Sequence, residues 1–127
     1  MAKLNHIHLK CKDPNKTAQW YIDNLGAKLL ERFNIGAAPA VRIELEGTRI
    51  NISSAAPGET LPPGSAKPHL GLEHFGLEVT DLAAALARLE KAGAKVLEPM
   101  RDGRGGGKIA FIQAPDNVRI EMMQPGR

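Results

Sequence analysis

The sequence predicts an α+β fold built from two βαβββ modules. Three observations carry this. The segment LNHIHLKCKD from Leu4 and the segment LEHFGLEVTD from Leu72 read alike, each with a His two residues in and an Asp at the end. The match recurs further on: Asp13 and Asp81 stand 68 positions apart like His6 and His74, AKLLE from Ala27 returns as AKVLE from Ala94, and TRINI from Thr48 returns as VRIEM from Val118. Within each copy, stretches alternating apolar and polar residues surround one segment of helical period.

In the first copy, Leu4 to Cys11 alternates as a strand, with Ile7, Leu9 and Cys11 on one side and His6, His8 and Lys10 on the other. Asp13 and Pro14 are a helix start, Asp as N-cap and Pro at the first helical position. That helix turns Ala18, Tyr21, Ile22 and Leu25 inward and stops at Gly26. AKLLERF is a strand, and a Gly/Ala/Pro loop follows it. VRIELEG and TRINIS are two strands joined by a tight turn at Gly47-Thr48. Residues 55–68, AAPGETLPPGSAKP, have no period and read as a linker. In the second copy LEHFGLEVT is a strand, and Asp81 caps the helix LAAALARLEKAG, which ends at Gly93. AKVLEPM is a strand, RDGRGGG a flexible loop, and KIAFIQA and VRIEMMQ are strands around a PDN turn. The modules therefore span 1–54 and 69–127.

Composition bounds the function. At 127 residues and 43% hydrophobic content the chain fits one ordinary globular domain of two half-domains. No apolar run approaches the roughly 20 residues of a membrane helix, and MAKLNHIH lacks the apolar core of a signal peptide. With Cys11 as the single cysteine, a disulfide framework is excluded, and a cytoplasmic location is expected. Net charge is +3 with no Lys/Arg block and few aromatics, which argues against nucleic-acid binding.

If each helix covers one sheet face, the alternate residues line the other. These are His6, His8, Lys10, Arg42, Glu44, Arg49, Asn51 and Ser53 in the first module, and His74, Gly76, Glu78, Arg119, Glu121 and Met123 in the second. Such a face is too polar for a core without partners and reads as a site. His6 and His74 occupy repeat-equivalent positions, and Glu121 joins them from the last strand. Two imidazoles and a carboxylate are a donor set for a divalent metal with positions left open. Asn51, equivalent to Glu121, is expected near the metal as a weak neighbour. His8 and Glu44 are the candidate bases. Arg42, Arg49 and Arg119 point to an anionic substrate, or else pair with Glu44, Glu78 and Glu46 in a solvated rim; the alternation leaves both open. Asn51 and Met123 complete the candidate substrate contacts, and His69 reads as a solvent histidine.

The runs LNHIHLKCKDPNKTAQWYIDNLGAKLLE, LEHFGLEVTDLAAALARLEKAGAKVLE and GGKIAFIQAPDNVRIEMM resemble the vicinal oxygen chelate superfamily, which includes glyoxalase I, methylmalonyl-CoA epimerase, fosfomycin thiol transferases, extradiol dioxygenases and bleomycin-binding proteins. The resemblance covers nearly the whole chain apart from linker and tails. It implies a glyoxalase-type curved mixed sheet with helices on the outer face. It also implies a metal (Zn, Ni, Co, Mn or Fe) on His6, His74 and Glu121, and a homodimer whose sites are shared between subunits. Glyoxalase I and the epimerase add a Glu or Gln ligand where this chain has Asn51. Three classes of function follow as expectations: a lyase or isomerase chelating substrate oxygens on a Lewis-acid metal, an Fe(II) dioxygenase on a 2-His-1-Glu site, and a non-catalytic antibiotic or metabolite binder. The scarcity of aromatic residues, with one Trp and one Tyr, argues against the third.

Overall fold

A computed structural model of the chain describes residues 1–126. It divides into two compact units, Met1–Pro62 and Pro63–Arg127. The first holds β1 (His6–Lys10), α1 (Pro14–Leu25), β2 (Lys28–Ile35), β3 (Ala38–Leu45) and β4 (Thr48–Ser53). The second holds β5 (Phe75–Glu78), α2 (Leu82–Lys91), β6 (Lys95–Asp102), β7 (Lys108–Ala114) and β8 (Val118–Gln124). Each unit is thus one βαβββ module. Its sheet is mixed and four-stranded, in the order β1-β4-β3-β2 or β5-β8-β7-β6. The first strand of each module pairs parallel with the last, and the other pairs are antiparallel.

The helices start where the side chains tell them to. Asp13 Oδ1 accepts the N–H groups of Asn15 and Lys16, at 3.1 and 3.2 Å, so two of the helix's orphan donors are satisfied. Asp81 Oδ1 accepts one, from Ala84 at 3.0 Å. Gly26 ends α1 in the left-handed region at φ 73°, where a Cβ would be strained. Leu82 N–H donates to Gln124 Oε1 at 2.9 Å, which ties the start of α2 to β8.

Each helix packs on its own sheet. Ala18 and Tyr21 of α1 are buried with Val41, Ile43, Ile50 and Ile52 of β3 and β4; Leu82, Leu86 and Leu89 of α2 are buried with Ile112, Ile120 and Met122 of β7 and β8. In the last strands the residues alternating with the polar set, Ile50 and Ile52 in one module and Ile120 and Met122 in the other, are therefore core.

Three local expectations are corrected. The Gly/Ala/Pro loop shrinks to Gly36-Ala37, because β2 runs on to Ile35 and β3 starts at Ala38, with Pro39 paired opposite Asn34. The β3–β4 turn is Glu46-Gly47, one residue earlier than read, with Leu45 opposite Thr48 and positive φ at both turn residues, as a type I′ hairpin turn requires. The strand around His74 begins only at Phe75. Residues 54–74 carry no strand or helix, but they are anchored: the carbonyls of Gly64 and Ala66 accept from Asn117 and Arg119. His69 is exposed and braces its own turn between Lys67 O and Leu72 O. No helix among the described residues is long and apolar enough to cross a membrane.

Candidate metal centre

His74 stands immediately before β5, whose Gly76 pairs with Glu121 on β8. Its Nδ1 lies 2.7 Å from Glu73 Oε1. A carboxylate only accepts, so the ring donates from Nδ1, and the neutral imidazole then has its lone pair on Nε2. Nε2 stands 3.8 Å from Glu121 Oε1. Among the described residues no hydrogen bond ties the Glu121 carboxylate. Gly76 stands beside it with no side chain of its own to bond it. Phe111 meets the His74 ring edge-on at a centroid distance of 5.1 Å. A lone-pair nitrogen and an unbonded carboxylate at this spacing fit a shared cation, because adjacent tetrahedral ligands at roughly 2.1 Å from a metal stand about 3.4 Å apart. Within either unit no group of three His, Cys, Asp or Glu side chains gathers for a metal among the described residues. The second unit supplies two donors.

Glu73 has further partners. Its Oε1 lies 3.1 Å from Arg119 Nε, an ion pair without a hydrogen bond from that nitrogen. The hydrogen bond from His74 holds the Glu73 carboxyl below the ordinary carboxylate range; the charges of His74, Arg119 and His69 add to this, and desolvation opposes it. Arg119 itself is buried. It bonds Glu98 through one terminal nitrogen and the Ala66 carbonyl through the other at 3.1 Å, and it lies 4.1 Å over the Phe111 ring. Arg119 is therefore engaged by the protein's own acids, Glu73 and Glu98.

In the first module His6, on the edge strand β1, is exposed. Its Nδ1 lies 2.7 Å from Asn5 Oδ1. Asn51, buried on β4, accepts at Oδ1 from Arg42 Nε at 2.9 Å, so one of that oxygen's two lone pairs is engaged. Arg42 also pairs with Glu31 at 2.7 Å and lies 4.9 Å over Phe33. Both arginines are thus paired, but with Glu31, Glu73 and Glu98 rather than with Glu44, Glu46 and Glu78. Arg49 is exposed and stands opposite half-buried Glu44. His8 Nε2 lies 2.7 Å from Ser53 Oγ. Burial lowers the His8 pKa below 6.5, and the positive charges of Lys10 and His6 lower it further.

Met123 and Glu121 line an open cleft of about 450 Å³ in the second unit, together with Arg101, Arg104, Lys108 and Ile109. Lys108 pairs with Asp102, while Arg104 has no acidic partner among the described residues. The sequence reading singled out His74, Glu121 and Met123 but not their neighbours Glu73 and Phe111, nor Asn5 beside His6. Two of these were discoverable: Asn5 and Glu73 share the 68-residue repeat shift and each precede a candidate ligand.

The family model described as Glyoxalase/Bleomycin resistance protein/Dioxygenase superfamily matches residues 3–122. Glyoxalase I of Saccharomyces cerevisiae is 27% identical, over 98% of this chain and 45% of its own length, so the chain spans about half of that relative. An ethylmalonyl-CoA/methylmalonyl-CoA epimerase of Cereibacter sphaeroides is 30% identical, over 91% of each protein. Among solved structures, a Glu-to-Gln point mutant of the fosfomycin resistance protein FosX from Listeria monocytogenes, complexed with Mn(II) and 1S,2S-dihydroxypropylphosphonic acid, shares the fold at a TM-score of 0.72 and 19% identity, covering 96% of this chain and 91% of that one. With the repeat, the two βαβββ modules and a family match across nearly its whole length, this chain belongs to the glyoxalase/bleomycin resistance/dioxygenase superfamily.

Proposed function

We propose that the protein is a metal-dependent enzyme of lyase or isomerase type, acting on a small anionic molecule with two neighbouring oxygens. The observation that carries this is His74 Nε2 facing an unbonded Glu121 carboxylate at 3.8 Å. His6 is the third ligand of the proposed set, from the same chain or from the second subunit of a homodimer. A divalent metal held there supplies Lewis-acid polarisation of the chelated oxygens. The chain's own residues do the rest. His8, whose pKa is lowered by desolvation and by the charges of Lys10 and His6, holds Ser53 Oγ at 2.7 Å from its Nε2 and is the proposed acceptor of a substrate proton, at Nδ1. Glu44 is the alternative base, opposite Arg49 in the ladder. Of the cations lining the same cleft as Glu121, Arg101 pairs with Glu98 and Lys108 with Asp102, so Arg104 is the proposed first contact for the anionic end of the substrate. The Mn(II) and phosphonic acid held by the FosX mutant agree with this combination of cation and anion.

The donor set itself favours a second reading. Two imidazoles and one carboxylate also serve Fe(II) oxygenases, and oxygen uptake that depends on ferrous iron would select it. Ligand binding that survives metal stripping would select the non-catalytic binder. The decisive experiment is elemental analysis of freshly purified protein beside His74→Ala. The wild type should carry metal and the variant at least about tenfold less, as loss of one of three ligands implies. Equal metal in both would end the metal-dependent reading.

A further inference from the structure

We infer that Asn5 and Glu73 are a repeat-related pair of positioning residues, each fixing the tautomer and ring orientation of the histidine that follows it. The inference rests on the proposed metal reading and extends it outward by one layer. In both modules the residue before the candidate ligand places a side-chain oxygen 2.7 Å from that ligand's Nδ1. Neutral imidazole has one N–H and one lone pair. An acceptor at Nδ1 puts the proton there and leaves the lone pair on Nε2, the nitrogen that faces Glu121 in the second module. Histidines that bind metals are commonly held this way by a carboxylate or an amide oxygen.

The two modules differ in how firmly they hold the ring. Glu73 is a carboxylate, about 29% exposed at its side chain, and is gripped from behind by Arg119. Arg119 is in turn held by Glu98, Ala66 O and the Phe111 ring. Asn5 is neutral and exposed. A charged, braced acceptor orients an imidazole better than a neutral, exposed one. Glu73 therefore contributes more to cation affinity than Asn5 does. Arg119 acts through Glu73 and touches no ligand.

The test uses the full chain stripped of metal, Zn(II) as the probe, and four variants: Glu73→Ala, Glu73→Gln, Asn5→Ala and His74→Ala. Two quantities are read: the Zn(II) dissociation constant by chelator competition, and the position of each imidazole proton by ¹⁵N NMR of the metal-free protein. Glu73→Ala should weaken Zn(II) binding by roughly 10–100-fold and lose the Nδ1 proton preference of His74. Glu73→Gln keeps an acceptor oxygen and should stay within several-fold of wild type with the preference intact. Asn5→Ala, at an exposed position that leaves folding undisturbed, should weaken binding by a few-fold and release the tautomer of His6. Wild-type affinity and an unchanged His74 tautomer in Glu73→Ala, with binding lost in His74→Ala, would overturn the inference and leave the metal reading standing. Wild-type Zn(II) affinity in His74→Ala would overturn the metal reading and the positioning role together. Should Glu73→Ala fail to fold, unchanged affinity and His6 tautomer in Asn5→Ala would overturn the paired role.

Discussion

One row of residues crosses each sheet at the level of the candidate carboxylate. In the first module it runs Glu31, Arg42, Asn51, His8. In the second it runs Glu98, Phe111, Glu121, Gly76. The first row closes on itself: Arg42 bonds both Glu31 and Asn51, and His8 is bonded to Ser53. The second row cannot, because Phe111 stands where Arg42 would supply a cation and Gly76 where His8 would supply a ring. Glu121 is left with no hydrogen bond among the described residues and with His74 Nε2 as its neighbour. One topology thus gives a neutral, satisfied row and an acidic, unsatisfied one, and the difference lies in the residues beside the carboxylate position as much as in the carboxylate itself.

The strongest way to break this comparison is to close the second row as the first is closed. Phe111→Arg puts a guanidinium directly across the ladder from Glu121, where cross-strand side chains are about 5 Å apart. The arginine competes with any cation for the carboxylate, and Zn(II) affinity should fall by about 100-fold or more, roughly 2.8 kcal/mol. Phe111→Leu removes the ring without adding charge and should keep affinity within about tenfold, since a contact of this kind is worth about 0.5–1.5 kcal/mol. If the arginine variant binds Zn(II) like wild type, Glu121 is not a donor and the contrast between the rows has no functional meaning.

That row also marks how far the sequence could be read. The repeat made His74 the counterpart of His6 and put it inside the strand LEHFGLEVT, whereas the strand that pairs with Glu121 begins one residue later, at Phe75. Glu73 escaped for a specific reason. Alternation would send it to the face opposite His74, but the strand begins at Phe75, and outside a strand that rule has no hold. The engagement of Arg119 escaped because its partners are remote in sequence. Ala66 belongs to the linker, and Glu98 lies in an edge strand whose register shifts on both sides of it, next to Pro99. The commitment of Arg42 and Asn51 to each other follows from their Cα register, which needs the correct turn at Glu46-Gly47. The sequence reading set that turn one residue late.

A second, smaller contrast lies at the helix starts. Asp13 satisfies two backbone N–H groups and Asp81 one. Asp13→Ala should therefore destabilise its module by about 1–2 kcal/mol, and Asp81→Ala by about 0.5–1 kcal/mol, as N-cap losses do. Urea denaturation of the two variants measures the order. A larger cost at Asp81 would mean that the tie from Leu82 N–H to Gln124 depends on the cap, and that the modules differ in their core ends rather than in their caps.

The smallest expected effect concerns the connections between the second and third strands. In the first module this is the two-residue turn Gly36-Ala37; in the second it is the longer loop between Asp102 and Lys108, and these two side chains pair across its base. The hydrogen bond from Lys108 holds the Asp102 carboxyl below the ordinary 3.8, and the lysine charge adds to it. A carboxylate whose folded pKa is depressed contributes stability that is present above the unfolded value and lost as pH falls through the folded one. The pair should thus brace the loop fully at neutral pH and release it only below pH 3.8. The Asp102 carboxyl signal in ¹³C NMR should titrate below 3.8 in the wild type and return to about that value in Lys108→Met. Titration at the ordinary value in the wild type would show the pair to be open in solution, leaving Lys108 beside Arg104 as a second uncommitted cation on the cleft. A closed pair leaves Arg104 as the cleft cation with no acid to answer it among the described residues, so an anionic substrate group should be sensed first by Arg104.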